Sequence, residues 1–134
     1  VRPGNEITIL TYLSMTRVVL DVVEEMGLDA EVIDLRSLDR ASLDWETISA
    51  SVRKTNNVLI VEQGALGTSY GTMLGDEVQR RLFDWLDQPV KRVTGGEAAP
   101  SVSKVLERAA IAGPKEVRDA LRAMMTEVGK PLAA

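Results

Sequence analysis

The glycine-spaced loop after Glu62 contains the residues with the clearest potential for chemistry. Glu62 comes directly after an apolar run, and Gly64 and Gly67 follow before the next helical pattern begins. In open parallel sheets, ligands bind beyond the carboxyl ends of the strands. A helix N-terminus with exposed amide groups can also hold an anion. Glu62, Gly64 and Gly67 could therefore line a crevice or an interface.

The same glycines also fit a purely structural role. With Gly71 they do not make the dinucleotide fingerprint G-x-G-x-x-G, and the loop has no phosphate-loop lysine. Glycines at these positions would permit a tight turn and close packing of a helix on the sheet. We favour this interpretation, because isolated glycine spacings are weak signals of ligand binding.

Asp84 and Asp87 are a second candidate site. They bracket Trp85 and Leu86 shortly before Pro89. Acidic groups beside an exposed aromatic ring could form a docking patch for a basic partner. They could also be the solvated end of a helix, since most surface charges do nothing specific. From the residues alone we favour the solvated helix end, and docking stays open as the alternative.

Asp34 follows a short apolar run and could resemble the ribose-binding acid of a dinucleotide fold. The first predicted strand, however, has no glycine after it that would let a pyrophosphate approach. We therefore predict that Asp34 or Arg36 makes a hydrogen bond or an ion pair at the end of its strand.

The composition excludes several classes of enzyme. The 134 residues include no cysteine and no histidine, so disulfides, thiolate nucleophiles, serine–histidine triads and histidine-based zinc sites are all excluded. The net charge is −4, and the basic residues are scattered, so we expect no nucleic-acid partner. No apolar run approaches the roughly 20 residues of a membrane span, and no signal peptide is visible. We therefore expect no membrane partner, and a location in the cytoplasm or an organelle matrix.

Strand and helix patterns alternate along the chain. Apolar β-branched runs predict strands at residues 7–12, 30–35, 58–61 and 89–93. Helical spacing of apolar residues predicts helices at about 15–26, 44–54 and 70–86 and from 114 onward, with a short helical turn within 101–110 and a frayed tail at 130–134. This alternation predicts an α/β fold in three layers, α/β/α, with a mostly parallel sheet of four to five strands. We expect one domain over residues 1–134.

Several segments together resemble the transketolase-like C-terminal domain of β-subunits from thiamine-diphosphate-dependent 2-oxo acid dehydrogenases. The most specific is residues 83–95, Phe-Asp-Trp-Leu-Asp-Gln-Pro-Val-Lys-Arg-Val-Thr-Gly. The others are residues 4–12, 30–38, 43–55, 61–64 and 70–71, in the family's order and spacing. The resemblance covers almost the whole chain. It implies the decarboxylating first component of a dehydrogenase complex of the pyruvate, branched-chain 2-oxo acid or acetoin type.

The resemblance implies that this chain is a fragment without activity of its own. Thiamine diphosphate and Mg would be bound in the parent enzyme, outside this segment. Expected partners are the rest of the β-subunit, the α-subunit or α-region, and the peripheral subunit-binding domain of the lipoyl acyltransferase, in a homodimer or heterotetramer. The position of Asp87 is an acidic docking contact in some members of the family. The alternative is a stand-alone regulatory α/β domain that binds an anion or a nucleotide.

The chain departs from the family in three places. After Gly95 the family continues with an Asp, prolines and an aromatic, whereas residues 96–103 here keep one proline and lack the aromatic. Leu13 stands where a small residue or glycine is common. The family's sheet also includes a strand just upstream, of which only Val1 and Arg2 could remain.

Overall fold

Four strands form a single parallel sheet in the order β2-β1-β3-β4. The computed structural model describes residues 1–97 and 102–129. The strands are β1 (Ile7–Thr11), β2 (Ala30–Asp34), β3 (Val58–Val61) and β4 (Lys91–Val93). Every residue of β1 and β3 is buried, as expected for strands covered on both faces. The short β4 lies at one edge of the sheet.

Helices cover both faces of the sheet. They are α1 (Ser14–Met26), α2 (Trp45–Thr55), α3 (Tyr70–Leu82), α4 (Lys104–Ala110) and α5 (Pro114–Glu127). The apolar sides of α1 and α5 share one core cluster with alternate strand residues such as Ile9 and Val61. Those of α2 and α3 form a second cluster on the other face, with Leu10 and Ile60. The structure thus confirms a three-layer α/β/α fold with four strands.

The direction of the chain reverses between β1 and β3. From β1 the chain first crosses to β2 on one side, and then returns past β1 to β3 on the other side. Thr11 pairs with Val61 at the carboxyl ends of these two central strands. This is the topological switch point, where open α/β sheets usually bind ligands. Tyr12 and Glu62 are the residues that immediately follow.

The helix predicted for residues 70–86 is shorter than expected. It ends at Leu82, and a 3₁₀ turn follows from Phe83 to Trp85. Asn56, in the left-handed turn that ends α2, donates its side-chain amide to the carbonyl of Trp85 at 2.6 Å. Its own carbonyl accepts from the backbone N–H of Asp87 at 2.9 Å. These bonds hold the chain in a turn where a helix would otherwise continue.

Both tryptophans are partly exposed. Trp85 lies in the 3₁₀ turn after α3, and 46% of its surface is exposed. Trp45 begins α2 and is only half-buried. An arginine covers each ring, Arg53 over Trp85 at 5.3 Å and Arg81 over Trp45 at 4.5 Å. Trp45 also packs against the core cluster of α2 and α3.

Smaller features agree with the sequence or fall outside the described part. The predicted turn before residue 110 is the helix α4, and Gly27 ends α1 in the left-handed conformation. Arg2 forms one isolated antiparallel bridge with Val32 at the open edge of β2. Residues 98–101 and the tail at 130–134, predicted to be frayed, lie outside the described residues. Within the described ranges, no helix has the length and apolarity that crossing a membrane would require.

Candidate functional site

A buried glutamate occupies the switch point of the sheet. Glu62 follows β3 directly and is completely buried. Its Oε2 atom accepts hydrogen bonds from the Tyr12 hydroxyl and the Gly71 backbone N–H, both at 2.7 Å. Its Oε1 atom accepts from the Ser69 hydroxyl at 2.5 Å. Three donors from two segments, the end of β1 and the start of α3, therefore meet on one carboxylate, which offsets much of the cost of burying it.

One arginine lies near this carboxylate. The Arg92 guanidinium is 3.9 Å from Oε1 of Glu62. It also donates to the Thr72 hydroxyl at 2.7 Å and to the Leu66 carbonyl at 3.2 Å. Arg92 thereby ties β4 to the loop before α3 and brings a positive charge to the buried site.

The same environment changes the pKa of Tyr12. Burial, and then its hydrogen bond to Glu62 and the charge of that carboxylate, raise the pKa of the Tyr12 hydroxyl. The ring of Tyr70 meets that of Tyr12 edge to face, with 6.1 Å between centroids. Tyr12 is therefore held as a neutral hydrogen-bond donor to Glu62.

At the start of α3, the Glu62 side chain accepts a hydrogen bond from a backbone N–H. The Gly71 amide lies in the first turn of α3, where an external anion would bind, but it donates to Glu62. A Cβ atom on Gly71 would collide with the Glu62 carboxylate, and one on Gly64 would lie 2.5 Å from Cβ of Ser69. Close packing explains these two glycines, as the structural interpretation predicted. Gly67 faces open space and has no such requirement.

Four neighbouring residues form an exposed surface after α3, which we call the aromatic–acidic surface: Phe83, Asp84, Trp85 and Asp87. Phe83 is 66% exposed and Trp85 46%, and both aspartates are exposed. The backbone of this segment is fixed by its bonds to Asn56, so the side chains project from a defined turn. The sequence singled out the two aspartates but missed Phe83, because its exposure depends on α3 ending at Leu82.

Asp34 has the role that the sequence predicted for it. Its carboxylate pairs with Arg36 at 2.5 Å and accepts a hydrogen bond from the Thr16 hydroxyl at 3.1 Å. Both contacts lie at the carboxyl end of β2. The prediction of a strand-end ion pair is confirmed.

A cluster around Glu77 was not found from the sequence. This glutamate of α3 is buried and accepts from Arg81 at 2.7 Å, from Arg80 at 3.3 Å and from Arg40. The hydrogen bonds from Arg81 and Arg40 lower the pKa of Glu77 to about 2, against the opposing effect of burial. The i+3 and i+4 spacing of Arg80 and Arg81 could have shown two of these contacts. Arg40 comes from a distant loop, so only the fold reveals it.

The described residues offer no metal centre. Across 1–97 and 102–129, no three His, Cys, Asp or Glu side chains cluster in a way that could hold a metal ion. Mg²⁺ requires carboxylate and phosphate oxygens around it, and the one deeply buried carboxylate of the switch point is already bonded to protein donors.

Comparison with known proteins gives consistent relatives. The chain is 41% identical over 125 residues to the 2-oxoisovalerate dehydrogenase subunit beta of Pseudomonas aeruginosa, covering 93% of this chain and 35% of that protein. It is 40% identical over 127 residues to the pyruvate dehydrogenase E1 component subunit beta of Chaetosphaeridium globosum, covering 92% and 38%. The chain thus spans little more than a third of the length of these relatives.

A solved structure supports the fold independently. It is described as "Split gene transketolase, inactive beta4 tetramer", and it matches with a TM-score of 0.73 at 23% identity, over 93% of this chain and 40% of that one. The family model described as "Transketolase, C-terminal domain" matches residues 1–117. These findings confirm the resemblance seen in the sequence: this chain belongs to the transketolase C-terminal domain family, and its two relatives above are β-subunits of 2-oxo acid dehydrogenases.

Proposed function

We propose that this chain is the C-terminal domain of the β-subunit of a thiamine-diphosphate-dependent 2-oxo acid dehydrogenase. In that role it makes subunit contacts and docks the peripheral subunit-binding domain of the lipoyl acyltransferase. The parent enzyme would decarboxylate a 2-oxo acid oxidatively and transfer the acyl group to a lipoyl group. The observation that carries the proposal is the family match together with similarity to two such β-subunits over more than nine-tenths of the chain.

The donors described at the start of α3 do not fit the diphosphate of thiamine diphosphate. A diphosphate needs free backbone amides or cations, and its Mg²⁺ needs oxygen ligands. The Gly71 amide at the start of α3 is bonded to Glu62, and the described residues contain no candidate metal cluster. We therefore propose that the cofactor and Mg are bound by other parts of the parent enzyme, and we assign this domain no step of the reaction.

The aromatic–acidic surface supports the docking part of the proposal. It combines two exposed carboxylates, on Asp84 and Asp87, with two exposed rings, on Phe83 and Trp85. Aromatic side chains supply contact area at interfaces, and the acidic pair would steer a basic module toward them. Because Asn56 fixes the backbone of the turn, this surface is already arranged for binding.

The docking role predicts the effect of reversing one charge. Asp87→Arg should weaken binding of the acyltransferase's peripheral subunit-binding domain by about tenfold or more, which corresponds to roughly 1.4 kcal/mol. It should also weaken the salt dependence of the association rate, because steering depends on charge. The binding constant and the rate can be measured by surface plasmon resonance at two salt concentrations.

Glu24→Arg is the matched control. It makes the same change in net charge at an exposed position of α1, on the opposite face of the sheet. Its affinity should equal that of the unchanged protein, and both variants should keep the same melting temperature. Equal affinity of Asp87→Arg and the unchanged protein would remove Asp87 from the docking surface.

The stand-alone regulatory domain has less support. That alternative requires the loop after Glu62 and the start of α3 to accept an external anion or nucleotide. Glu62 already takes the Gly71 amide and the Ser69 hydroxyl as its own donors. We therefore propose the dehydrogenase role in its place, and expect the parent enzyme in the cytoplasm or, in a eukaryote, in the mitochondrial matrix.

A further inference from the structure

Helix α4 buries no side chain against the described part of the chain. None of its seven residues, Lys104–Ala110, is buried, and only Ala110 at its end is partly covered. Isolated helices shorter than roughly 12 residues are marginal in water, so most helices in proteins depend on packing an apolar face. The described part of this domain gives α4 no such packing.

The exposed side chains of α4 are not of one kind. Val105, Leu106 and Ala109 lie on one side of α4, at positions i, i+1 and i+4, and we call them the α4 apolar face. Val105 is 77% exposed, Leu106 is 58% exposed and Ala109 is also exposed, and Val102, just before the helix, is fully exposed. The charged residues Lys104, Glu107 and Arg108 lie on the other side of the helix. An amphipathic pattern of this type indicates a second surface that the apolar face would cover.

The helix is anchored beside the switch point. The Gly96 N–H donates to the carbonyl of Ala110, the last residue of α4, at 2.7 Å. The Gly95 N–H donates to the carbonyl of Gly64 at 2.9 Å, in the loop that follows Glu62. Leu13 is exposed just beyond the carboxyl end of β1. The α4 apolar face thus belongs to the carboxyl edge of the sheet, where Leu13 adds a further exposed apolar side chain.

We infer that the α4 apolar face is the surface on which the preceding region of the same β-subunit chain packs. This inference rests on the proposed function, and it names the occupant of one of its contact surfaces. The relatives are nearly three times as long as this chain, since it covers 35% and 38% of them. The matching family model is that of a C-terminal domain, which places the remaining length before it.

The size of the surface favours an occupant in the same chain over a free partner. A stable complex between separate proteins buries roughly 800 Å² on each side. Three aliphatic side chains and Leu13 provide much less than this. A contact between domains of one chain needs less affinity of its own, because the covalent link gives an effective concentration in the millimolar range. A small apolar patch of this kind therefore favours an occupant in the same chain over a second copy.

Hydrogen exchange tests the inference directly. The amides of residues 102–110 should exchange rapidly in the 134-residue chain. In the chain extended by the region that its own gene encodes before Val1, their exchange should slow by at least tenfold. Leu106→Glu should restore fast exchange in the extended chain, whereas Lys104→Gln, which makes the same change in net charge on a polar side of α4, should not. Leu106→Glu should change the melting temperature of the 134-residue chain little, because most of the Leu106 side chain is already exposed.

Several outcomes would overturn the inference. Equal exchange in the two chains, or protection that survives Leu106→Glu, would show that the preceding region does not cover this face. An open reading frame beginning at Val1 would leave no such region. Slow exchange in the short chain, together with a dimer that Leu106→Glu dissociates, would assign the face to a second copy. Failure of Asp87→Arg to affect acyltransferase binding would count against the proposed docking and would leave these results unaffected.

Discussion

At the scale of the residue, Glu62 shows how a position that is typical of a ligand site can become a structural one. It stands where the sequence predicted a candidate crevice, at the carboxyl end of a central strand. The structure fills that position with the carboxylate itself, bonded to Tyr12, Ser69 and the Gly71 amide. The sequence could identify Glu62, but it could not show three donors that converge from 50, 7 and 9 residues away.

Removing the carboxylate should be costly. Glu62→Leu would leave the buried Gly71 amide and the partly buried Tyr12 and Ser69 hydroxyls without their acceptor, at roughly 1–3 kcal/mol for each buried donor. We expect the free energy of unfolding to fall by at least about 3 kcal/mol, measured by urea denaturation. Glu62→Gln is the matched control, since it keeps the shape and one acceptor oxygen, and it should lose about half as much. A loss below about 1 kcal/mol for Glu62→Leu would contradict this account of the site.

At the scale of the element, the sequence predicted the order and type of the strands and main helices correctly, because apolar periodicity reports burial. The prediction failed at the end of α3, which is determined by Asn56, a residue distant in the sequence. The apolar pattern of α3 continues to Trp85, yet the chain turns at Leu82 because Asn56 bonds to the segment that follows. Phe83 and Trp85 therefore lie on an exposed surface where the pattern predicts a continuing helix, and no local pattern contains that information.

The loops at the carboxyl edge give an element-scale test. A Cβ atom on Gly95 would lie 2.7 Å from the Ala110 carbonyl oxygen and 2.9 Å from that of Gln63, so backbone would have to move. Gly95→Ala should cost about 1–3 kcal/mol, as overpacking does. Gly67→Ala, the control in open space, should stay within about 0.5 kcal/mol. The melting temperatures of the two variants can be compared. Equal effects would mean that the backbone at Gly95 does not pack against Ala110 and Gln63 as described.

At the scale of the whole molecule, two separate helical layers enclose the sheet, and the two proposed contact surfaces lie apart from both core clusters. On one face of the sheet, the apolar residues of α1 and α5 are buried against the strands. On the other face, those of α2 and α3 are buried in the same way. The switch point is closed by Glu62. The aromatic–acidic surface and the α4 apolar face stay exposed, which suits the proposed contact role of this domain.

This arrangement predicts that the 134-residue chain folds but has no activity. It should unfold cooperatively, because both core clusters are complete within it. Added thiamine diphosphate and Mg²⁺ should leave its melting temperature unchanged, whereas binding at about 100 times the dissociation constant would stabilise it by about 2.7 kcal/mol. No 2-oxo acid should be decarboxylated, as measured by release of CO₂. The control is an intact 2-oxo acid dehydrogenase under the same conditions. Turnover by this chain alone, or a saturable thermal shift with the cofactor, would show that the segment contains a cofactor site and would overturn its assignment as a contact domain.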